Sequence, residues 1–254
     1  MKPVRSSRLA LVKLAAAYAL VIGCLFVGLR VADSALADQS QQEAPQQQTS
    51  DEGAAPAAYE GPSRIDDWNL VLVNPWNELP EGYDVTLAQL DNGQAVDERC
   101  YADLQSMLGD CRAAGLEPLV CSSYRTQERQ QALYDEQARK LASQGLSQEE
   151  ALAKAGTSVA VPGTSEHQLG LAVDIVDAHN QLLDASQEDM PVQQWLIANS
   201  WTYGFVLRYP QEKSDVTGII YEPWHYRYVG REAAREMHEL GVCLEEYRGI
   251  VSGS

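Results

Sequence analysis

Two stretches govern the reading of this chain: Ser165-Glu166-His167-Gln168-Leu169-Gly170-Leu171-Ala172-Val173-Asp174 and, further on, Glu222-Pro223-Trp224-His225. In the first, Gly170 separates a polar turn from the apolar run Ala172–Val176, which reads as a buried strand. In the second, His225 stands just before the run Tyr226–Val229, which reads as a strand. Together they offer two imidazoles, one carboxylate in ligand position and one spare carboxylate. A catalytic zinc uses three protein ligands and keeps a fourth position open. His167, Asp174 and His225 supply such a set, and Glu222 is left over as a general base for an attacking water. Taken singly each signal is weak: a histidine before a glycine is usually structural, and Glu-x-x-His is a common pattern. His179, beside Asp177 and Asn180, and His238, amid charges on the last helix, are expected to be solvated.

A third motif strengthens the pair. In Ser122-Ser123-Tyr124-Arg125-Thr126-Gln127-Glu128-Arg129-Gln130 an arginine sits where a strand gives way to a helix. Its forked guanidinium suits a carboxylate or an oxyanion; the plainer alternative is a surface salt bridge.

Around these motifs the chain predicts alternating short elements. Leu70–Val73 and Leu119–Ser122 read as strands, as do Phe205–Arg208, Gly218–Tyr221 and Tyr226–Val229. Asp97 is placed to cap a helix running to Ala114, with Tyr101, Leu104, Leu108 and Cys111 as its apolar stripe and Gly115 ending it. Thr126 starts a second helix, to about Ala142. Ser147 and Glu150 have capping-box spacing for a third. Pro191–Tyr203 is a helix stopped by Gly204, and Gly230–Leu240 is an amphipathic helix. The irregular mixture predicts an α+β class: a compact single domain with a central, mostly antiparallel sheet flanked by helices.

Four cysteines belong to this region: Cys100, Cys111, Cys121 and Cys243. An even number in an exported domain suggests disulfides. Cys100 and Cys111 share a helix face about 16 Å apart, too far to bond. Cys111 with Cys121 and Cys100 with Cys243 are the pairs expected if two bridges form, with buried free thiols the alternative.

The ends of the chain read differently. The apolar run 14–29 follows Lys2, Arg5, Arg8 and Lys13. It fits a signal peptide cut near Ala35-Leu36-Ala37, or a membrane anchor over 9–29 with Lys13 snorkelling. A lipid anchor at Cys24 is a third option, from the lipobox-like Val21-Ile22-Gly23-Cys24. All three place the remainder outside the cytoplasmic membrane, since basic flanks stay inside. Residues 38–63 are rich in Gln, Ala, Pro and Glu and predict a disordered tether, about 30 Å across as a coil and at most about 90 Å stretched. The expected division is therefore 1–37 anchor or signal, 38–63 tether, 64–247 folded domain and 248–254 tail. Net charge is −17 over 254 residues. The first 37 residues hold five bases and one acid, so the remainder, with 14 bases and 35 acids, carries −21. Such a surface repels phosphate backbones and argues against nucleic-acid binding.

The set Ser122-x-x-Arg125, Ser165-x-His167-x-x-Gly170-x-Ala172-x-Asp174 and Glu222-x-Trp224-His225, in that order, resembles the VanY-type D-alanyl-D-alanine carboxypeptidases. The segment Trp68–Pro80 (WNLVLVNPWNELP) is similar to that family's domain entry, so the resemblance spans about 65–247. It implies the compact fold shared with hedgehog-type zinc domains and one catalytic Zn2+. It assigns His167, Asp174 and His225 as ligands, Glu222 as catalytic base and Arg125 to the substrate or its oxyanion. It also implies that Gln130 and Ser165 help hold the substrate terminus. The substrates it implies are peptidoglycan stem peptides, which lose a C-terminal D-alanine; the catalytic domain is expected to be a monomer. Alternatives are an L,D-carboxypeptidase on tetrapeptide stems and a non-catalytic zinc module that binds wall fragments.

Overall fold

Three helix starts in this domain are set by side chains that accept from otherwise free backbone amides. In the computed structural model, which describes residue 64 and residues 66–251, the expected anchor or signal and the tether lie outside the described residues. Strands β1 (Leu87–Gln89) and β2 (Ala95–Asp97) form an antiparallel hairpin. Helix α1 (Glu98–Ala113) begins where Asp97 accepts from the amide of Arg99. After β3 (Pro118–Ser122), Thr126 caps α2 (Gln127–Ser143) in the same way, and Ser147 and Glu150 close a full capping box on α3 (Gln148–Ala155). Each such cap is worth about 1 kcal/mol. Then follow β4 (Ala172–Asp177), α4 (Pro191–Asn199), β5 (Phe205–Leu207), α5 (Ser214–Thr217), β6 (His225–Tyr228), α6 (Arg231–Leu240) and α7 (Leu244–Val251).

The main sheet has the order β3-β4-β6-β5, and every neighbouring pair is antiparallel. All six residues of β4 and all four of β6 are buried. One face packs Val173, Ile175, Phe205 and Tyr226 with Leu104 and Leu108 of α1 and Leu196 of α4. Val206 and Val229 join Ala233, Ala234 and Met237 of α6 and Leu244 of α7 in a second cluster. Phe205 and Val206, adjacent in β5, thus enter different clusters, as the strand period of two requires. The expected α+β class with a central antiparallel sheet is what the chain adopts.

Three local expectations differ. Leu70–Val73 is not a strand: a 3-10 turn, Trp68–Leu70, leads into unpaired extended chain. Arginine side chains meet carbonyls here instead, with Arg227 Nη2 donating to Asn69 O at 3.1 Å and Val71 O at 2.8 Å, and Arg248 Nη1 donating to Leu70 O. Gly218–Tyr221 has no sheet partner either; Ile220 N donates to Thr157 O in the loop after α3. The third difference is the cysteines. All four are free thiols, so neither Cys111–Cys121 nor Cys100–Cys243 forms. Cys100 and Cys111 share the main apolar cluster but stand too far apart along α1 to bond, and Cys121 and Cys243 lie outside it. Cys100 Sγ lies 3.2 Å from Asp97 O, Cys121 Sγ lies 3.4 Å from Asp174 O, and Cys111 is fully enclosed in the core beneath α1. Burial pushes the Cys100 and Cys121 thiols up to about 12, which makes them poor nucleophiles. Among the described residues, no helix is long and apolar enough to cross a membrane.

Candidate active site

The sheet register brings the three motifs to one level. Ser122 of β3 stands opposite Asp174 of β4, and Asp174 stands opposite His225 of β6. A register shift between Val120 and Ser122 turns the end of β3 toward the following loop. There Arg125 N donates to His167 O at 3.1 Å, tying the arginine loop to the 3-10 turn Glu166–Leu169. Gly170 closes that turn at φ 74°, and a Cβ there would lie 3.0 Å from Asp97 N. A side chain at this position would thus be strained twice, in conformation and in space, which accounts for glycine between His167 and Asp174. Glu222 stands at the turn into β6, where His225 N donates to Glu222 O at 3.2 Å.

His167, Asp174 and His225 are all buried and present ligand atoms within 4.8 Å of one another. His167 Nε2 lies 3.3 Å from Asp174 Oδ2, and His225 Nδ1 lies 3.0 Å from Asp174 Oδ1. The rings of His167 and His225 meet edge to face at 4.9 Å, and Tyr209 packs against His225 at 4.7 Å. The back of His167 is anchored, since its Nδ1 lies 2.7 Å from Ser123 O. A proton on Nδ1 leaves the Nε2 lone pair facing Asp174. The two imidazoles and one carboxylate therefore fit a divalent ion that takes N and O donors.

The electrostatics agree. Asp174 is buried, which would raise its pKa, yet His167, His225 and Arg125 hold it well below the usual carboxylate range. Burial and the nearby Arg125 push His167 down to about 4, so it is neutral and able to ligate. Burial works against a charge on His225, but the hydrogen bond to Asp174 and the nearby carboxylate of Glu166 raise it to about 9. Carboxylates that draw a proton onto His225 draw a dication as well, and metal binding displaces such a proton. Burial, aided by Asp174, raises Glu222 to about 8 against the pull of His225 and Arg125. Its Oε2 lies 3.8 Å from His225 Nδ1, on the ligand side of that ring.

Arg125 borders the cluster. Its Nη2 donates to Asp174 Oδ2 and to Ser122 Oγ, each at 2.7 Å, and its Nη1 donates to Gln130 Oε1 at 3.3 Å. Gln130 is fully buried and donates onward to Ala160 O at 2.7 Å. It braces the arginine and the loop beyond α3. Ser165 is buried immediately before the 3-10 turn. His179 is exposed, 3.6 Å from Glu117, and His238 is an exposed residue stacked on Trp201, so neither joins the cluster.

Residues 93–231 match the family model described as VanY, D-alanyl-D-alanine carboxypeptidase. The chain belongs to the VanY family. A D-alanyl-D-alanine carboxypeptidase of Enterococcus faecalis is 48% identical over 181 residues, covering 71% of this chain and 66% of that relative, so the match spans just under two thirds of the relative's length. Among solved structures, a VanY D,D-pentapeptidase variant from a VanB-type resistance cassette, in complex with Zn(II), shares 48% identity. It has a TM-score of 0.66, with 71% of this chain and 99% of that one covered. VanYB in complex with D-alanine-D-alanine shares 47% identity with a TM-score of 0.67, over 72% and 98% of the two chains.

Behind the VanY motifs the structure shows charged residues that the motif reading did not single out. Glu166, Arg208 and Arg227 have fully enclosed side chains, and Glu245 of α7 is nearly so. For the two arginines the signal was in the sequence: Arg227 falls within the expected strand Tyr226–Val229, and Arg208 follows the apolar run Phe205–Leu207. A guanidinium in such a place requires a buried counter-charge.

Proposed function

We propose that this chain is a zinc D,D-carboxypeptidase that removes the C-terminal D-alanine from peptidoglycan stem peptides. The observation that carries the proposal is the convergence of His167, Asp174 and His225 with Glu222 and Arg125 around one cluster. Held by those three ligands, zinc would supply Lewis-acid activation of a water and of the scissile amide carbonyl. Glu222 takes the proton from the attacking water and returns it to the departing amine. An adjacent dication favours its carboxylate form, which a base requires. Arg125, fixed by Ser122, Asp174 and Gln130, receives the terminal carboxylate of the stem or the oxyanion formed beside it. Gln130 acts by bracing Arg125, and Ser165 borders the same terminus. The bound D-alanine-D-alanine of the VanYB structure supports this choice of substrate.

The domain acts as a monomer outside the cytoplasmic membrane, held there by the apolar N-terminal run or released when that run is cleaved. Release of D-alanine from synthetic pentapeptide and tetrapeptide stems, with and without a chelator, tests the reading. The pentapeptide should be cut, chelation should abolish cutting, and added zinc should restore it. Preference for the tetrapeptide would make the enzyme an L,D-carboxypeptidase. A chain that binds zinc and cuts neither would be a binding module.

A further inference from the structure

The buried charges behind His225 take no part in the chemistry just described. Glu166 Oε1 accepts from Arg208 Nε and from Arg227 Nη1, each at 2.8 Å. Arg208 continues to Glu245 with two bonds of 2.9 and 2.6 Å, and Asn74 Nδ2 donates to the same carboxylate at 3.0 Å. Replacing such a buried ionic cluster by apolar side chains is often neutral or stabilising, so stability alone is a poor reason for it. The geometry supplies another. Both arginines use Oε1. Among the described residues Glu166 Oε2 has no hydrogen-bond partner, and neither has His225 Nε2. These two atoms face each other at 3.5 Å.

We infer that Glu166 is a positioning residue for the metal centre: clamped by Arg208 and Arg227, it accepts the Nε2–H of His225 and so turns the Nδ1 lone pair toward Asp174 and His167. The inference rests on the zinc reading above and deepens it. A neutral imidazole carries one proton, and the partner of one nitrogen decides which nitrogen is left to ligate. The two histidines of this site present opposite nitrogens, Nε2 from His167 and Nδ1 from His225, and each needs its own anchor. For His167 the anchor is the carbonyl of Ser123. For His225 it is a carboxylate, whose charge also makes the ring a stronger donor. The two arginines fix the Glu166 rotamer, and through Glu245 and Asn74 they tie it to α7 and to the chain's entry segment.

Glu166→Gln is the sharpest test. Its amide oxygen is claimed by the two arginines, so its NH2 faces His225 Nε2. Two donors then oppose each other, and the ring must surrender the Nε2 proton to Nδ1 and lose its ligand lone pair. Zinc affinity is measured on the full chain in mild detergent by competition with a chromogenic chelator, beside the visible spectrum of the Co(II)-substituted protein. We expect zinc to bind about 10–100-fold more weakly and the Co(II) bands to shift, with Glu166→Asp, which keeps the charge, falling between variant and wild type. Melting of the chelator-treated proteins reports folding separately. Should Glu166→Gln fail to fold, Glu166→Asp carries the test, because its shorter arm withdraws from Nε2 and should still weaken zinc. Wild-type affinity and an unchanged Co(II) spectrum in the folded variant overturn the role of Glu166 and leave the zinc reading standing. A wild-type chain that takes up no zinc overturns both.

Discussion

Two glutamates flank His225, and the protein treats them in opposite ways. Both are buried, and burial raises the pKa of each. Beside Glu166 two guanidinium groups within hydrogen-bond reach outweigh burial and hold its carboxyl well below the usual range. Beside Glu222 the anionic Asp174 adds to burial, and His225 and Arg125 oppose it only in part, so the group rises to about 8. One carboxylate is thus fixed as an anion, fully bonded on one oxygen. The other is left able to change its proton near neutral pH, on the side of the ring where the ligands converge. Where two like groups are pushed apart by their surroundings, their roles separate as well. The contrast agrees with the roles proposed above, Glu166 holding the site and Glu222 moving a proton in it.

The most severe way to break that comparison is Glu222→Gln. The substitution removes the base but no ligand, so zinc content should stay near one per chain while kcat falls by about 10²–10⁴-fold. Turnover close to wild type would hand the proton transfer to another group. Next in size is Arg125→Ala, which should lower kcat/KM by about 10²-fold, at 1.4 kcal/mol per tenfold. Amidating the C-terminus of the stem should cost the wild type a similar factor, and the two losses should not add. Because Arg125 also bonds Asp174, zinc content must be measured alongside. An amidated stem cut as fast as the free acid would mean an endopeptidase, or another role for the arginine.

How far the sequence discloses this arrangement differs from part to part. The helix starts at Asp97, Thr126 and Ser147 were legible because each is a local contact between a cap and an amide two or three residues on. The cluster of His167, Asp174 and His225 was legible because ligand chemistry restricts residue type and the three motifs occur together. Most of what escaped depends on distant partners. Leu70–Val73 has the composition of a strand, but the carbonyls of Leu70 and Val71 are claimed by Arg248 and Arg227, more than 150 positions away. The β1–β2 hairpin was missed although Asn92-Gly93 stands at its turn, with Gly93 at φ 81°. The strands on either side are three residues each, too short to show alternation. Glu166 lay inside the strongest motif and still gave no sign of its role, because that role is set by Arg208, just past β5, and Arg227 of β6. The cysteine count suggested bridges, but a count carries no geometry, and all four thiols are free.

The smallest effect we expect concerns stability, and it isolates Glu222 from Glu166. In chelator-treated protein the folded state holds Glu222 protonated up to about pH 8, whereas the unfolded chain releases that proton near the ordinary value of ~4.5. Between those two values the folded state binds more protons than the unfolded state, so stability falls as pH rises. The loss accrues at about 1.4 kcal/mol per pH unit until local opening of the turn lets water reach the carboxylate, and we expect it to level off at about 1–2 kcal/mol. Glu222→Gln cannot ionise and should escape this loss. His225, raised to about 9, also contributes a fall with pH from the usual histidine range upward, but it is present in both proteins and largely cancels in the difference. The variant should therefore gain on wild type between pH 5 and pH 8 by several degrees in Tm, at about 2–4 °C per kcal/mol for a domain of this size. Glu166, held as an anion, gives the opposite sign: its pairing stabilises above the ordinary carboxylate pKa and fades as pH falls below it. A gap between Glu222→Gln and wild type that stays constant from pH 5 to pH 8 would mean that Glu222 is ionised throughout, and the distinction between the two carboxylates would collapse.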